Sequence, residues 1–216
     1  MKPDIAPKTY IRNLAEKYAS DLDSQIKNRI EEMKTDNKSH YLIYTVLGIT
    51  DTEGEQIDRY QNVGRFLYKY AGSFLEDAAI YCLKSKFSEA KAKHRVPNTI
   101  GKRPATFEID CLVQQNAYEL KWRDATTDGD HITKEHTRLQ AIRSHGFVPI
   151  RLMFFSPNRA QAIRIQETLK TLYAGMQGQY FAGNNAWKKL HELTDIDLKR
   201  ILEELALGNR KKWIAK

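Results

Sequence analysis

Phe107-Glu108-Ile109-Asp110-Cys111-Leu112-Val113, followed by Gln114-Gln115-Asn116-Ala117 and then Tyr118-Glu119-Leu120-Lys121-Trp122, is the stretch from which the fold is read. Both ends alternate with period two, so the stretch predicts two strands joined by a tight turn. Residues two apart share a face. Phe107, Ile109, Cys111 and Val113 form one face of the first strand, with Glu108 and Asp110 on the other. Tyr118, Leu120 and Trp122 are the apolar side of the second strand, opposed by Glu119 and Lys121. A two-residue loop at Gln115-Asn116 sets Asp110 directly opposite Lys121, with Glu119 one step along the same face.

Two carboxylates and a lysine converging on a sheet surface suit magnesium-dependent phosphodiester hydrolysis. Mg2+ is a hard octahedral cation that takes one or two protein carboxylates plus phosphate oxygens. Asp110 and Glu119 are the candidate metal ligands, and Lys121 is a point charge beside them. The competing reading is a solvated hairpin face with a cross-strand Asp–Lys pair. An E-x-K triplet alone has little weight in a chain with 29% charged residues. It recurs at Glu32-Met33-Lys34 and Glu89-Ala90-Lys91. Both lie in helical or irregular surroundings, and in a helix side chains two apart point roughly 200° from each other.

Asp110 with Glu119-Leu120-Lys121 resembles the PD-(D/E)XK nuclease superfamily, with Ile109 standing where that motif often has proline. The segment Lys121-Trp122-Arg123-Asp124-Ala125-Thr126-Thr127-Asp128-Gly129-Asp130-His131 through His136 is similar to ApaLI-type restriction endonucleases, over about residues 105–155. The resemblance implies an α/β restriction-endonuclease-like core of α-β-β-β-α-β order, a central mixed sheet flanked by helices. It implies a type II, Mg2+-dependent endodeoxyribonuclease leaving 5′-phosphate and 3′-hydroxyl ends. It further implies a homodimer on a short palindrome of double-stranded DNA, with GTGCAC the namesake target, and a partner methyltransferase. Glu76, on a helix before the hairpin, is the further catalytic carboxylate carried over from the superfamily. Its alternative is a carboxylate on the solvated side of an amphipathic helix.

The flanks support this order. Val63, Phe66, Leu67, Tyr70, Phe74 and Ala78 recur at helical spacing over Tyr60–Leu83, with Gly72-Ser73 as a break or kink signal. A turn-rich loop, Asp124–Asp130, precedes a helix over Ile132–Ser144 that ends at Gly146. Val148–Phe155 is continuously apolar except for Arg151, as in a buried central strand. A helix follows from Asn158 to Tyr173, then a candidate edge strand at Gln179-Tyr180-Phe181. Residues 8–35 form a long amphipathic helix, and Asn184–Trp213 a helical pair with Thr194 as the second N-cap. The chain is read as one nuclease domain: a helical region over 1–58, a catalytic core over 59–175 and a helical region over 176–216.

The net charge of +8 favours a polyanionic partner. Residues 85–104 are basic and irregular, with Lys102 and Arg103 as candidate phosphate contacts against a solvated-loop alternative. Thr126, Thr127, Asp128, Lys134, His136 and Arg138 are the candidate base contacts. The spacing of His131 and His136 fits no zinc-protease motif. Cys82 and Cys111 suit buried thiols in a reducing cytoplasm. The start lacks a signal-peptide core, and the apolar run Tyr41–Ile49 is too short to span a bilayer. Two other functions compete: a repair or junction-resolving nuclease of the same superfamily, and a non-catalytic DNA-binding module.

Overall fold

The computed structural model describes residues 6–101, 103–123 and 130–214, with side chains as far as Gly208. The chain forms two compact units, Arg12–Phe74 and Met1–Ile11 together with Leu75–Lys216.

The Arg12–Phe74 unit is helical. It holds most of α1 (Pro7–Glu32), a 3-10 turn at Met33–Thr35, α2 (Tyr41–Val46) and much of α3 (Asp51–Lys86). Tyr18 of α1 meets Tyr70 and Phe74 of α3 edge-on, and Arg29 donates to Asn62 at 3.2 Å. Tyr44 of α2 donates to Asp58 of α3 at 3.0 Å. A Cβ on Gly54 would lie 2.9 Å from the Tyr44 ring, so any side chain there would push α2 off α3. A capping box starts α3: the Thr50 N–H donates to Glu53 at 2.8 Å, and the Glu53 N–H returns to Thr50 Oγ1 at 3.3 Å. The helix runs unbroken through Gly72-Ser73, because neither residue removes an i→i−4 hydrogen bond as proline would.

The other unit is built on a five-stranded mixed sheet in the order β1-β2-β3-β4-β5. The strands are β1 (Lys91–Pro97), β2 (Thr106–Val113), β3 (Asn116–Arg123), β4 (Val148–Phe155) and β5 (Gln179–Ala182). β1, β2 and β3 pair antiparallel; β3, β4 and β5 pair parallel. The parallel pairs are spanned by α4 (Asp130–Ser144) and α5 (Ala160–Gly175). The sequence α3-β1-β2-β3-α4-β4 is the expected α-β-β-β-α-β core.

One strand corrects the sequence reading. Lys91–Pro97 falls within the segment read as irregular, yet it forms edge strand β1 on β2. Only Val96 is buried in it, so no apolar alternation marked it as a strand. Its ladder is interrupted at Lys93, which takes φ +52, and pairing passes from Ala92↔Cys111 to His94↔Ile109.

The hairpin register is a second correction. The loop is Gln114-Gln115, with Gln114 at φ +52, and Val113 pairs with Asn116, Leu112 with Ala117 and Cys111 with Tyr118. Continuing that register places Asp110 opposite Glu119, not Lys121. The loop moves toward the N-terminus by one residue while keeping two members, so both strands keep their parity and the acidic face survives.

Apolar packing holds the frame. Val96, Phe107, Ile109, Leu112 and Ala117 form a cluster with Ala141 and Ile142 of α4. The cluster draws on both alternations of β2, so the strict face assignment stops at Asp110. Gly178 seats the entry to β5: a Cβ there would lie 2.5 Å from the Pro149 carbonyl oxygen. Two final helices follow, α6 (Asn184–Thr194) and α7 (Leu198–Ile214). Thr194 ends α6 and bonds back to the Leu190 carbonyl at 2.8 Å. Asp197 caps α7 instead, accepting the Arg200 N–H at 3.0 Å. Cys82 and Cys111 are buried free thiols, pushed up to about 12 and about 11 by burial. No described helix is long and apolar enough to cross a membrane.

Candidate active site

The site lies where the β2–β3 ladder stops. Regular pairing runs from the turn to Cys111↔Tyr118. At the next position Asp110 Oδ2 accepts the Leu120 N–H at 2.8 Å, a bond that would otherwise go to a backbone carbonyl. Asp110 and Glu119 are both buried, 7% and 6% exposed. Lys121 Nζ sits 2.6 Å from Glu119 Oε1. The other oxygen, Oε2, accepts from Arg138 of α4, which also donates to the Glu108 carbonyl at 3.0 Å.

Behind Glu119 lies a buried polar network. Glu135 accepts from Arg138 at 3.3 Å, from Arg151 at 3.4 Å and from the Tyr173 hydroxyl at 2.7 Å. Arg151 pairs in register with Glu119 and is fully buried. The one charge in the apolar run of β4, it turns into this network because Glu135 on α4 supplies a counter-charge there. Buried charges require partners of this kind.

The electrostatics separate the two carboxyls. Burial and then the nearby Glu119 push Asp110 up to about 6, against the opposing pull of Lys121. Burial also raises Glu119, but Arg138, Lys121 and Arg151 outweigh it and hold that carboxyl down to about 2. Lys121 is held above its ordinary value: burial lowers it, and Glu119 and Asp110 more than compensate. Lys121 therefore stays an ammonium, suited to neutralising phosphate charge and unsuited to accepting a proton.

This geometry fits a divalent cation. Two carboxylates face each other, and Asp110 resists ionisation because no cation sits close enough to offset Glu119 and burial. A metal between them would remove that conflict. Among the described residues no group of three or more His, Cys, Asp or Glu converges. A two-carboxylate site matches the habit of Mg2+, which completes its shell with phosphate oxygens and water.

The family model of the ApaLI-like restriction endonucleases matches residues 2–207. The chain belongs to the ApaLI-like restriction endonuclease family. It is an endodeoxyribonuclease, a hydrolase acting on double-stranded DNA. No curated protein and no solved structure matches the chain. The family match takes in both compact units, well past the segment 105–155 that carried the resemblance in sequence.

The other sequence-predicted residues are placed as follows. Glu76 is ion-paired with Lys93, which also lies 3.7 Å from Glu108. Glu76 is thus tied to the distorted point of β1 by a lysine. Arg138, read as a base contact, has its side chain only 11% exposed and is committed to Glu119 and Glu135. Helical periodicity turns it inward, one turn beyond the buried Glu135. Lys134 and Arg103 are exposed and His136 is half-buried. Lys102, Thr126, Thr127 and Asp128 lie outside the described residues. The Glu135–Arg138–Arg151–Tyr173 network was missed. Its one visible signal was Arg151, a charge within an otherwise apolar strand.

Proposed function

We propose that this endonuclease is a type II enzyme of PD-(D/E)XK design that cuts a short palindrome in an Mg2+-dependent reaction leaving 5′-phosphate ends. The observation that carries the reading is the Asp110–Glu119 pair at the end of the hairpin ladder, with Lys121 2.6 Å from Glu119. Asp110 and Glu119 would hold the ion. When bound, such an ion supplies Lewis acidity toward water and the scissile phosphate. Lys121, kept protonated, offsets charge developing on the phosphate. Arg138 is a positioning residue: it fixes one Glu119 oxygen and keeps the carboxylate ionised, and Glu135 fixes Arg138 in turn. Glu76 remains proposed as an outer carboxylate reaching the site through Lys93 or water.

DNA contacts are proposed for Lys102, Arg103, Thr126, Thr127, Asp128, Lys134 and His136. In sequence they flank the carboxylate pair on both sides. Two strands need two sites, so the enzyme acts as a homodimer whose two-fold axis matches the palindrome. A restriction role places it in the cytoplasm beside a methyltransferase that protects host DNA.

The test is incubation of phage genomic DNA with the protein and Mg2+, beside Lys121→Ala and an EDTA control. Discrete bands lost in both controls establish sequence-specific cleavage, and end mapping tests GTGCAC and the 5′-phosphate. A smear lost in both controls favours a structure-selective nuclease. Intact but gel-shifted DNA overturns catalysis on duplex DNA.

A further inference from the structure

Charge is divided unevenly between the two units. Arg12–Phe74 carries nine Lys and Arg against ten Asp and Glu, a net of −1, which leaves +9 elsewhere to give the chain's +8. The attraction for a polyanion therefore belongs to the sheet-bearing unit, and the helical unit has none to offer.

The helical unit instead exposes apolar surface. On α2, Leu42, Ile43, Val46 and Leu47 follow i, i+1, i+4, i+5 spacing, and three of the four are 69–74% exposed. On α3, Ile57, Tyr60 and Leu67 are all exposed, Tyr60 to 73%, and fall with Gly64 within roughly 80° of the helix circumference. No charged residue shares that sector between Ile57 and Ala71. These seven residues are 44–74% exposed, a substantial share of the roughly 800 Å² per partner that a standard interface buries. Soluble monomers rarely leave so much apolar surface bare.

Gly64 sharpens the point. Gly54, ten residues earlier, is explained inside the chain by the Tyr44 ring, whereas a Cβ on Gly64 would meet nothing within 4 Å. Glycine disfavours a helix interior, and a glycine in the middle of an apolar stripe admits close approach of another helix backbone.

We propose that these outward faces of α2 and α3 bury against the same faces of a second copy of this chain. An uncharged stripe is self-complementary, as a two-fold interface requires, while the basic surface elsewhere would repel a copy. The need for a second copy rests on the nuclease reading, because among the described residues one Asp110–Glu119–Lys121 set serves each chain and a duplex has two strands.

Sedimentation equilibrium on the full chain tests this, with Tyr60→Glu/Leu67→Glu, Gly64→Leu and, as a control in the other unit, Leu207→Glu. The wild type and the control are expected to be dimers at micromolar concentration. The double variant is expected to dissociate at least about a hundredfold more readily with unchanged circular dichroism. Gly64→Leu, which fills open space on a helix, is expected to weaken self-association about tenfold or more without unfolding. A monomeric wild type, or variants that dimerise as tightly as it does, overturns the proposal. Cleavage of a single-site plasmid separates it from the nuclease reading: a dimer that cuts nothing sinks the enzyme assignment alone, and a monomer that cuts both strands sinks the interface alone.

Discussion

In Leu75–Lys216 charge is turned inward, while in Arg12–Phe74 apolar groups stand outward. The sheet-bearing unit buries Asp110, Glu119, Glu135 and Arg151 behind its hairpin. The helical unit leaves Leu42, Val46, Leu47 and Tyr60 in water. Each inverts the ordinary rule of burial, and each inversion is the basis of one proposal made above. Buried carboxylates in conflict call for a cation; bare apolar stripes call for another protein surface. On those proposals chemistry and assembly fall to different units, with a net +9 in one and −1 in the other.

The comparison breaks first if the buried charges prove dispensable. Lys121→Ala is expected to lower single-turnover cleavage by about 10²–10³-fold while DNA binding persists, measured with excess enzyme on one oligonucleotide duplex. Cleavage within threefold of wild type would remove Lys121 from the site. Next in size is Glu135→Ala, which strips the shared acceptor from Arg138, Arg151 and Tyr173. Urea unfolding is expected to show a loss of about 3–5 kcal/mol. The matched change in the helical unit is Glu55→Ala, which breaks only the exposed Lys38–Glu55 pair. It is expected to cost no more than about 1 kcal/mol.

A fourth prediction concerns pH. Asp110 is raised to about 6 from an unfolded value near 3.8, so the fold binds its proton more tightly than the unfolded chain does. The stability this gives is fully present below the unfolded value and disappears as pH rises through about 4 to 6. Above that window the metal-free protein carries an unfavourable charge. Asp110→Asn is therefore expected to stabilise the metal-free protein at pH 8 by about 1–3 kcal/mol and to leave it unchanged near pH 3. Thermal melts in EDTA at both values check it, and equal effects at both would refute the assigned origin. A small effect is expected at the helix start: Thr50→Ala removes half of the capping box and is expected to cost about 1 kcal/mol in urea unfolding.

What could be read from sequence follows the same division. The hairpin announced itself because alternation and paired carboxylates coincide at Phe107–Val113 and Tyr118–Trp122. Its register was misplaced because Gln114-Gln115-Asn116 contains no glycine, and asparagine is the residue expected in a left-handed turn position. Gln114 takes that position instead. The placement of Asp110 and Glu119 on one face survived because the shift preserved parity. β1 was hidden because an edge strand with one buried residue has no apolar period to detect. Arg138 was taken for a surface residue because a lone arginine on a helix gives no sign of its direction. The i, i+3 step from Glu135 becomes meaningful only when Arg151 and Tyr173 arrive from β4 and α5. The exposed residues of α2 stand in the apolar run Tyr41–Ile49, but an apolar run does not separate a face that packs inside the chain from one left exposed.

Asp110 has a second occupation: its carboxylate takes the Leu120 N–H that closes the end of the hairpin ladder. A descendant drifting away from cleavage is therefore constrained in how it can lose this acid. Asparagine at 110 keeps an oxygen for Leu120 and, on the proposed metal-binding role, yields a silent protein with an intact sheet. Alanine leaves a buried N–H without an acceptor and frays the hairpin at the same stroke. Inactive relatives that still fold are expected to carry the amide rather than the methyl, a trace of catalysis preserved in the sheet after the chemistry has gone.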